Sequence, residues 1–242
     1  MRLFVTGALS LLVLPLTVTS TARAESGDSV PPSSPSAAQI VAEMARHNTL
    51  RNEDLKHYTS LRHYEVSYHG FAASLDAKMD VEVDYSAATG KSFRVVSQSG
   101  SRLLCDKVLK RAVDSEEEAQ KDPAATALTP ANYRFTLDGR DTLDGRSAYV
   151  LDVEPIAPSK FLYKGKIWVD ARDFAVEKIE ATPAKNPSFW IEQTLIHYTS
   201  ARNGEFWLPQ QNRSETKVRI GGKAVFTIDY GAYQIVPQLA SR

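Results

Sequence analysis

The sequence feature that most constrains the fold is an alternation of apolar and polar residues with a period of two. It is cleanest in the segment KMDVEVDYS, residues 78–86. The apolar positions of that segment are Met79, Val81, Val83 and Tyr85, and an acidic residue stands between each pair. This alternation is typical of an antiparallel strand with one buried and one wet face. A chain built mainly of such segments must form an antiparallel sheet that is covered on one side.

About ten segments of this kind follow one another, separated by turn signals. One pair, KGKIWVDARDFAVEKIE at residues 164–180, predicts a hairpin with a polar turn. Two stretches have helical spacing instead, at residues 36–56 and 101–121, and Ser36 with Gln39 forms a capping box. These elements predict an α+β fold. Because a long sheet twists and curls, we expect a strongly curved, open (incomplete) β-barrel with both helices on its concave face.

The N-terminal residues predict secretion. Arg2 is followed by an apolar run at residues 3–18 and by the small-x-small pattern that ends at Ala24. We therefore predict a signal peptide over residues 1–24, cleaved after Ala24. An uncleaved membrane anchor is the alternative, but the run is short for a bilayer span. Residues 25–35 are Ser/Pro-rich and predict a flexible leader, and residues 36–242 predict a single domain.

Charge and cysteine content exclude some classes of protein. The 29 basic and 29 acidic residues become 27 and 29 once the two arginines of residues 1–24 are removed. No basic excess remains to hold nucleic acid or anionic headgroups, so we expect no nucleic-acid partner. Cys105 is the only cysteine, which excludes an intramolecular disulfide. Its place on an apolar helix line predicts a buried structural thiol.

No residue pattern predicts catalysis. The acidic residues between Met79 and Tyr85 are explained by a solvated strand face, and those at 116–118 by a solvated helix face. His63 and Glu65 could share a metal ion, but two ligands make a weak site. The sequence contains no G-x-S-x-G, H-E-x-x-H or phosphate loop. We therefore predict a protein that is not an enzyme and needs no cofactor or metal.

Three segments carry a resemblance to a known family. They are YKGKIWVDARDFAVEKIEA at 163–181, GEFWLPQQ at 204–211 and FTIDYGAYQI at 226–235. With the order of helices and strands, they resemble the LolA/LolB-like superfamily of bacterial periplasmic proteins over about residues 36–236. That superfamily includes lipoprotein carriers, outer membrane lipoprotein-sorting protein-like members and RseB-type sensors. The resemblance implies an open barrel lidded by helices and a periplasmic location. It also makes Arg62, the early-strand arginine, a candidate for contact with the lid.

The resemblance and the apolar strand faces together predict a carrier of a lipid, or of the acyl chain of a lipoprotein, in cell-envelope trafficking. The alternative is an RseB-like sensor or protein-interaction module that binds an inner- or outer-membrane protein. In either case we expect a monomer. The residues predicted to line the ligand cavity are Tyr64, Val66, Tyr68, Met79, Val81, Val83, Tyr85, Phe93, Val95, Tyr133, Phe135 and Leu137.

Overall fold

The computed structural model describes residues 34–71, 73–186, 191–219 and 221–236. The predicted signal peptide and most of the predicted leader lie outside these residues. Ten strands are present: β1 His57–His69, β2 Ser74–Ser86, β3 Gly90–Gly100, β4 Tyr133–Leu143, β5 Arg146–Pro155, β6 Tyr163–Asp170, β7 Val176–Pro183, β8 Ile191–Asn203, β9 Phe206–Val218 and β10 Lys223–Ile235. The helices are α1 Ala37–Asp54, α2 Arg102–Leu104, α3 Lys110–Ala119 and α4 Pro123–Thr126. The predicted α+β class with about ten strands is confirmed.

All ten strands form one antiparallel sheet in the order β3-β2-β1-β10-β9-β8-β7-β6-β5-β4. Strands that are neighbours in sequence are neighbours in the sheet, apart from β3 and β4. In addition, β1 pairs with β10 and so joins the N-terminal and C-terminal parts of the sheet. Among the described strands, β3 and β4 are the free edges, and they do not pair with each other. The barrel is therefore open between them. The chain that connects these two edges, residues 101–132, contains α2, α3 and α4.

Helix α1 begins where the sequence predicts. The Ser36 hydroxyl accepts a hydrogen bond from the Gln39 backbone N–H at 3.3 Å, and the Gln39 side chain accepts one from the Ser36 backbone N–H at 2.8 Å. This reciprocal capping box satisfies backbone donors that a helix start leaves free. The buried side chains of α1 are Ile40, Val41 and Met44. They pack on the half of the sheet formed by β4 to β8.

The second predicted helix is present but is not regular. α2 and α3 are joined by a π-helical turn, Cys105–Leu109, and we call this continuous unit of residues 102–119 the middle helix. The Lys110 backbone N–H donates to the Cys105 carbonyl, five residues back, which is the π pattern. Leu104, Cys105, Val108 and Leu109 are buried against β1, β2 and β10. The two helices thus cover different halves of one sheet.

The curvature of the sheet follows from residues that meet across it. Tyr85 on β2 and Tyr198 on β8 line the same cavity, although they lie well apart in the strand order. Strands in a sheet are spaced about 4.8 Å apart, so on a flat sheet these side chains would be roughly 20 Å apart. Only a strongly curved sheet brings them together. The predicted open barrel with helices on its concave side is confirmed.

Candidate functional site

The helices leave two cavities beside α1, and the apolar one is open to solvent, with Ala38, Ala42 and Pro130 of its lining exposed. An apolar cavity of about 330 Å³ lies between α1 and the start of β4. Its lining residues are Ala38, Val41, Ala42, Ala45, Pro130, Tyr133 and Phe135. We call it the apolar cavity. Its size falls within the range of about 300–1,000 Å³ that is usual for small-molecule sites.

A second, smaller cavity of about 120 Å³ lies beside the C-terminal half of α1. It is partly open to solvent, and we call it the cationic cavity. Its lining residues are Asn48, Arg51, Asn52, Leu55, Tyr58, Tyr85, Lys91, Ala175, Val176, Tyr198, Ser200, Phe206, Trp207, Leu208 and Pro209. The charged residues in this lining are Arg51 and Lys91, whereas its broad apolar surfaces come from aromatic rings.

A buried charge cluster lies next to the cationic cavity and ties the middle helix to the sheet. Glu116 of α3 is only 2 % exposed. Its carboxylate accepts hydrogen bonds from Arg62 Nη1 on β1 at 2.8 Å and from Lys91 Nζ on β3 at 2.9 Å. A buried ion is tolerated only when it is paired and hydrogen-bonded, and here one carboxylate serves two cations. The edge strand, an inner strand and the middle helix therefore meet at this carboxylate.

Burial and charge act in opposite directions on the pKa of Glu116. Burial of the carboxyl group raises its pKa, but Lys91 and Arg62 lower it more, to about 2. Burial alone would lower the pKa of Arg62, yet Glu116 raises it well above its ordinary value. Glu116 and Arg62 are therefore both charged near neutral pH.

The Arg62 guanidinium is enclosed by aromatic rings as well as by its partner. Its Cζ lies 4.7 Å from the ring centroid of Tyr230 and 5.6 Å from that of Phe93. These cation–π contacts replace part of the lost hydration. Its Nε has no hydrogen-bond partner among the described residues, and neither has the buried hydroxyl of Tyr64. Burial raises the pKa of Tyr64 to about 12. The cluster is thus charged, enclosed and incompletely satisfied.

The predicted cavity-lining residues divide into four groups. Most of those on β1 and β2 are buried directly under the middle helix: Tyr64, Val66, Met79, Val81 and Val83. Three line the two cavities: Tyr85 lines the cationic one, and Tyr133 and Phe135 line the apolar one. Partly buried at the margins of the core are Phe93, Leu137 and Tyr68. Val95, on the edge strand β3, is 44 % exposed.

Arg62, the candidate for contact with the lid, reaches Glu116 on the middle helix, and its role at a lid stays a prediction. The expectation of a solvated face at 116–118 is wrong for Glu116, because this side chain is buried while its two neighbours are exposed. Glu116 follows Cys105, Leu109 and Ala112 at spacings of three and four residues, so it continues the buried stripe. That spacing is the signal in the sequence that predicts the burial of Glu116. Lys91 and Arg51 carry no comparable signal in the sequence.

The other candidate groups do not form a site. His63 Nδ1 lies 2.7 Å from Asp80 Oδ1 on the outer surface of the sheet. Within the described ranges, no group of three or more His, Cys, Asp or Glu side chains is placed to hold a metal ion. Cys105 is buried, as predicted. None of the helices in the described part of the chain is both long enough and apolar enough to cross a bilayer.

Solved structures similar to this chain come from several bacteria. A DUF1329 family protein from Desulfovibrio piger is 13 % identical, with 86 % of this chain and 96 % of that chain covered and a TM-score of 0.45. A LolA superfamily protein from Nitrosomonas europaea is 12 % identical, with 84 % and 94 % covered and a TM-score of 0.39. The MucA/MucB complex of Pseudomonas aeruginosa is 13 % identical, with 79 % of this chain and 92 % of that chain covered and a TM-score of 0.28.

The second of these structures carries the name of the superfamily that the sequence resembles. No family model matches the chain, and no curated protein matches it. The chain's own geometry is a curved sheet with two cavities beside α1 and a buried ion cluster beneath the middle helix.

Proposed function

We propose that this protein is a periplasmic carrier that holds a lipid, or the acyl chain of a lipoprotein, inside the curved sheet. The observation that carries the proposal is the apolar cavity between α1 and β4. Apolar side chains that face water in this cavity are unfavourable, and an apolar ligand that covers them removes their surface from water. Each buried methylene of an acyl chain contributes about 0.8 kcal/mol, which suits reversible transport.

The proposal includes a movable cover. The apolar cavity is too small for a whole diacyl lipid, so longer chains would have to spread beneath a helix. The middle helix is the suitable one, because Glu116 connects it to Arg62 and Lys91 on the sheet. The π-helical turn supplies an irregular point at which this helix could bend. In this proposal Arg62 is the sheet's contact with the cover.

The location is part of the proposal. A signal peptide over residues 1–24, cleaved after Ala24, would deliver the chain to the periplasm, where a carrier meets both membranes. No catalytic group is needed, because transport requires only binding and release.

The first test is native mass spectrometry of residues 25–242 produced in a bacterial periplasm, with lipid extraction of the same sample. A discrete added mass that extracts as lipid would support the carrier. An apo mass with no uptake of lipid on titration would refute it.

Two variants of α1 locate the ligand: Ala45→Trp fills the apolar cavity, while Arg46→Trp places the same side chain on the exposed face one residue away. Only the first should lose lipid.

A second candidate function, an RseB-like sensor, is favoured by the free edge of β3. Most of β3 is exposed, including Val95 and Val96, and a partner strand could add to that edge. The same mass spectrum separates the two functions. A protein partner that co-purifies at defined stoichiometry, without lipid, would favour the sensor.

A further inference from the structure

The charge around the cationic cavity differs from that of the whole molecule. The protein has no net charge, yet the charged side chains that the described residues contribute to this cavity's lining are Arg51 and Lys91, with no carboxylate among them. Arg51 comes from α1 and Lys91 from the edge strand β3. Two cations from different elements therefore face one small volume.

The Arg51 guanidinium is held in place by neutral oxygen atoms. Nη1 donates to the backbone carbonyl of Asp173 at 2.7 Å, and Nη2 donates to the side-chain oxygen of Asn48. The carboxylate of Asp173 is engaged elsewhere: it accepts from Trp207 Nε1 at 2.8 Å and lies 3.6 Å from Arg202 Nε. Among the described residues, no carboxylate lies within ion-pair distance of Arg51, and Asp173 and Asp170 act on its charge only from farther away. The C-terminal dipole of α1 offsets part of its charge.

Lys91 also retains unbalanced charge. It shares the single carboxylate of Glu116 with Arg62, so this buried cluster has two positive charges and one negative charge. Arg62 and Glu116 act in opposite directions on the pKa of Tyr198, which lines the cavity. The excess charge of the cluster reaches the volume that Arg51 faces because Lys91 itself lines the cavity. A partly enclosed site with low-dielectric walls strengthens that field.

The remaining wall is aromatic. Tyr58 and Tyr85 stack at 4.9 Å on one side, and Phe206 and Trp207 lie on the other. The apolar cavity begins farther along the same stripe of α1, where residues 38, 41, 45, 48, 52 and 55 recur at helical spacing. Ala45 and Arg51 are six residues apart, about 9 Å along the helix. An apolar site and a cationic site are thus arranged end to end.

We propose that the cationic cavity binds the ionised headgroup of an anionic amphiphile, a carboxylate or a phosphate, with Arg51 and Lys91 as its hydrogen-bond donors. This inference rests on the proposed function, which supplies the site for the apolar chain. It adds a selectivity: the ligand is chosen by the charge of its head as well as by its chain.

The test compares laurate, lauryl phosphate and lauryl alcohol by isothermal titration calorimetry on residues 25–242, below their micellar concentrations. Charge-assisted hydrogen bonds predict that the two anions bind about tenfold or more tightly than the alcohol. Equal affinity for all three would overturn the headgroup inference and leave the carrier standing. No binding of any would overturn both. Inorganic phosphate that binds as tightly as lauryl phosphate would indicate a site for free anions and refute the amphiphile.

Variants identify the residues responsible. Arg51→Gln and Lys91→Gln should each reduce the preference for laurate over lauryl alcohol severalfold, and Arg51→Lys should retain most of it. Arg46→Gln, which removes an exposed cation from the same helix, should leave the preference unchanged. The readout is the ratio of two affinities. A variant that merely folds less well weakens the binding of both ligands and leaves this ratio unchanged. An unchanged ratio in both Gln variants would contradict the assignment.

Discussion

Glu116 links the middle helix to the sheet. Its carboxylate is the acid that Arg62 and Lys91 share. Removing it leaves a buried arginine without this counter-charge, and the resulting penalty is the desolvation of an ion rather than the loss of one contact. The loss of stability on removing this side chain should therefore exceed the loss expected for two hydrogen bonds.

We predict that Glu116→Gln lowers the free energy of unfolding by about 3–5 kcal/mol. The matched control is Glu117→Gln, an exposed neighbour on the same helix, which should change stability by less than about 0.5 kcal/mol. Urea denaturation of both variants measures the difference. Similar midpoints for the two would show that the ion cluster contributes little.

The pKa of Glu116 also predicts a dependence on pH. Its value in the folded chain, about 2, lies below the ordinary value of 4.5. Folding therefore favours the ionised form, so the stabilisation is complete above about pH 4.5 and is lost as the pH falls towards 2. The difference corresponds to about 3 kcal/mol. The gap in unfolding free energy between wild type and Glu116→Gln should close over this range. A gap that stays constant would contradict the lowered pKa.

At the scale of elements, the hairpin of β6 and β7 shows how closely the strands are fitted. Gly165 has a φ of +154°, and a Cβ placed there would lie 2.2 Å from the carbonyl oxygen of Glu180 on β7. Gly139 on β4 has nearly the same φ, +155°, but no described atom lies within 4 Å of the position that its Cβ would take. These two glycines separate the effect of backbone angle from the effect of crowding.

Gly165→Ala should therefore destabilise the protein more than Gly139→Ala does, by about 1–3 kcal/mol. The cost arises because β7 must move away from β6 to accept the methyl group. Thermal and urea unfolding of the two variants test this. Equal losses would mean that backbone strain alone decides, and that the strands have room to separate.

The same hairpin shows that a strand can be buried on both faces. Ile167 and Val169 face the core beneath α1, while Trp168 points to the opposite side. There its Nε1 donates to Asp141 Oδ2 at 2.9 Å, and Lys178 lies over its ring. The outer face of the sheet thus has a small apolar cluster of its own. The segment KIWVD is apolar without alternation for this reason.

For the whole molecule, the sheet order predicts a gradient of stability. β1 and β10 lie inside the sheet and join the N-terminal and C-terminal parts of the chain. β3 is a free edge of the described sheet, paired only with β2 and largely exposed. Local opening should therefore begin at β3 and reach β1 and β10 only on global unfolding.

Native-state hydrogen exchange followed by mass spectrometry tests this gradient. The ladder amides between β1 and β10 should exchange most slowly, at a rate set by global unfolding. Those between β3 and β2 should exchange faster, and laurate should slow them if Lys91 holds its headgroup. Uniform exchange across the sheet would show that the molecule opens as a single unit.

The sequence by itself determined the elements and the fold class. Period-two alternation, the capping box at Ser36 and most Gly-containing turns are local signals, and the structure has a strand, a helix start or a turn at these places. The exception is Asp138-Gly139, which predicts a turn but lies within β4, at a shift in its register with β5. A long amphipathic sheet with two helices has few ways to bury its apolar face, so the open barrel followed as well.

Only the tertiary structure decided which side chains meet in the hollow. Whether Glu116 is solvated or buried depends on how the middle helix is rotated over β1. Whether Arg51 and Lys91 share a cavity depends on curvature that brings distant strands together. These contacts join residues far apart in the sequence, and local periodicity contains no information about them. The net charge does not predict the cationic cavity either, because it sums the charges of all residues and contains no information on which of them line one cavity.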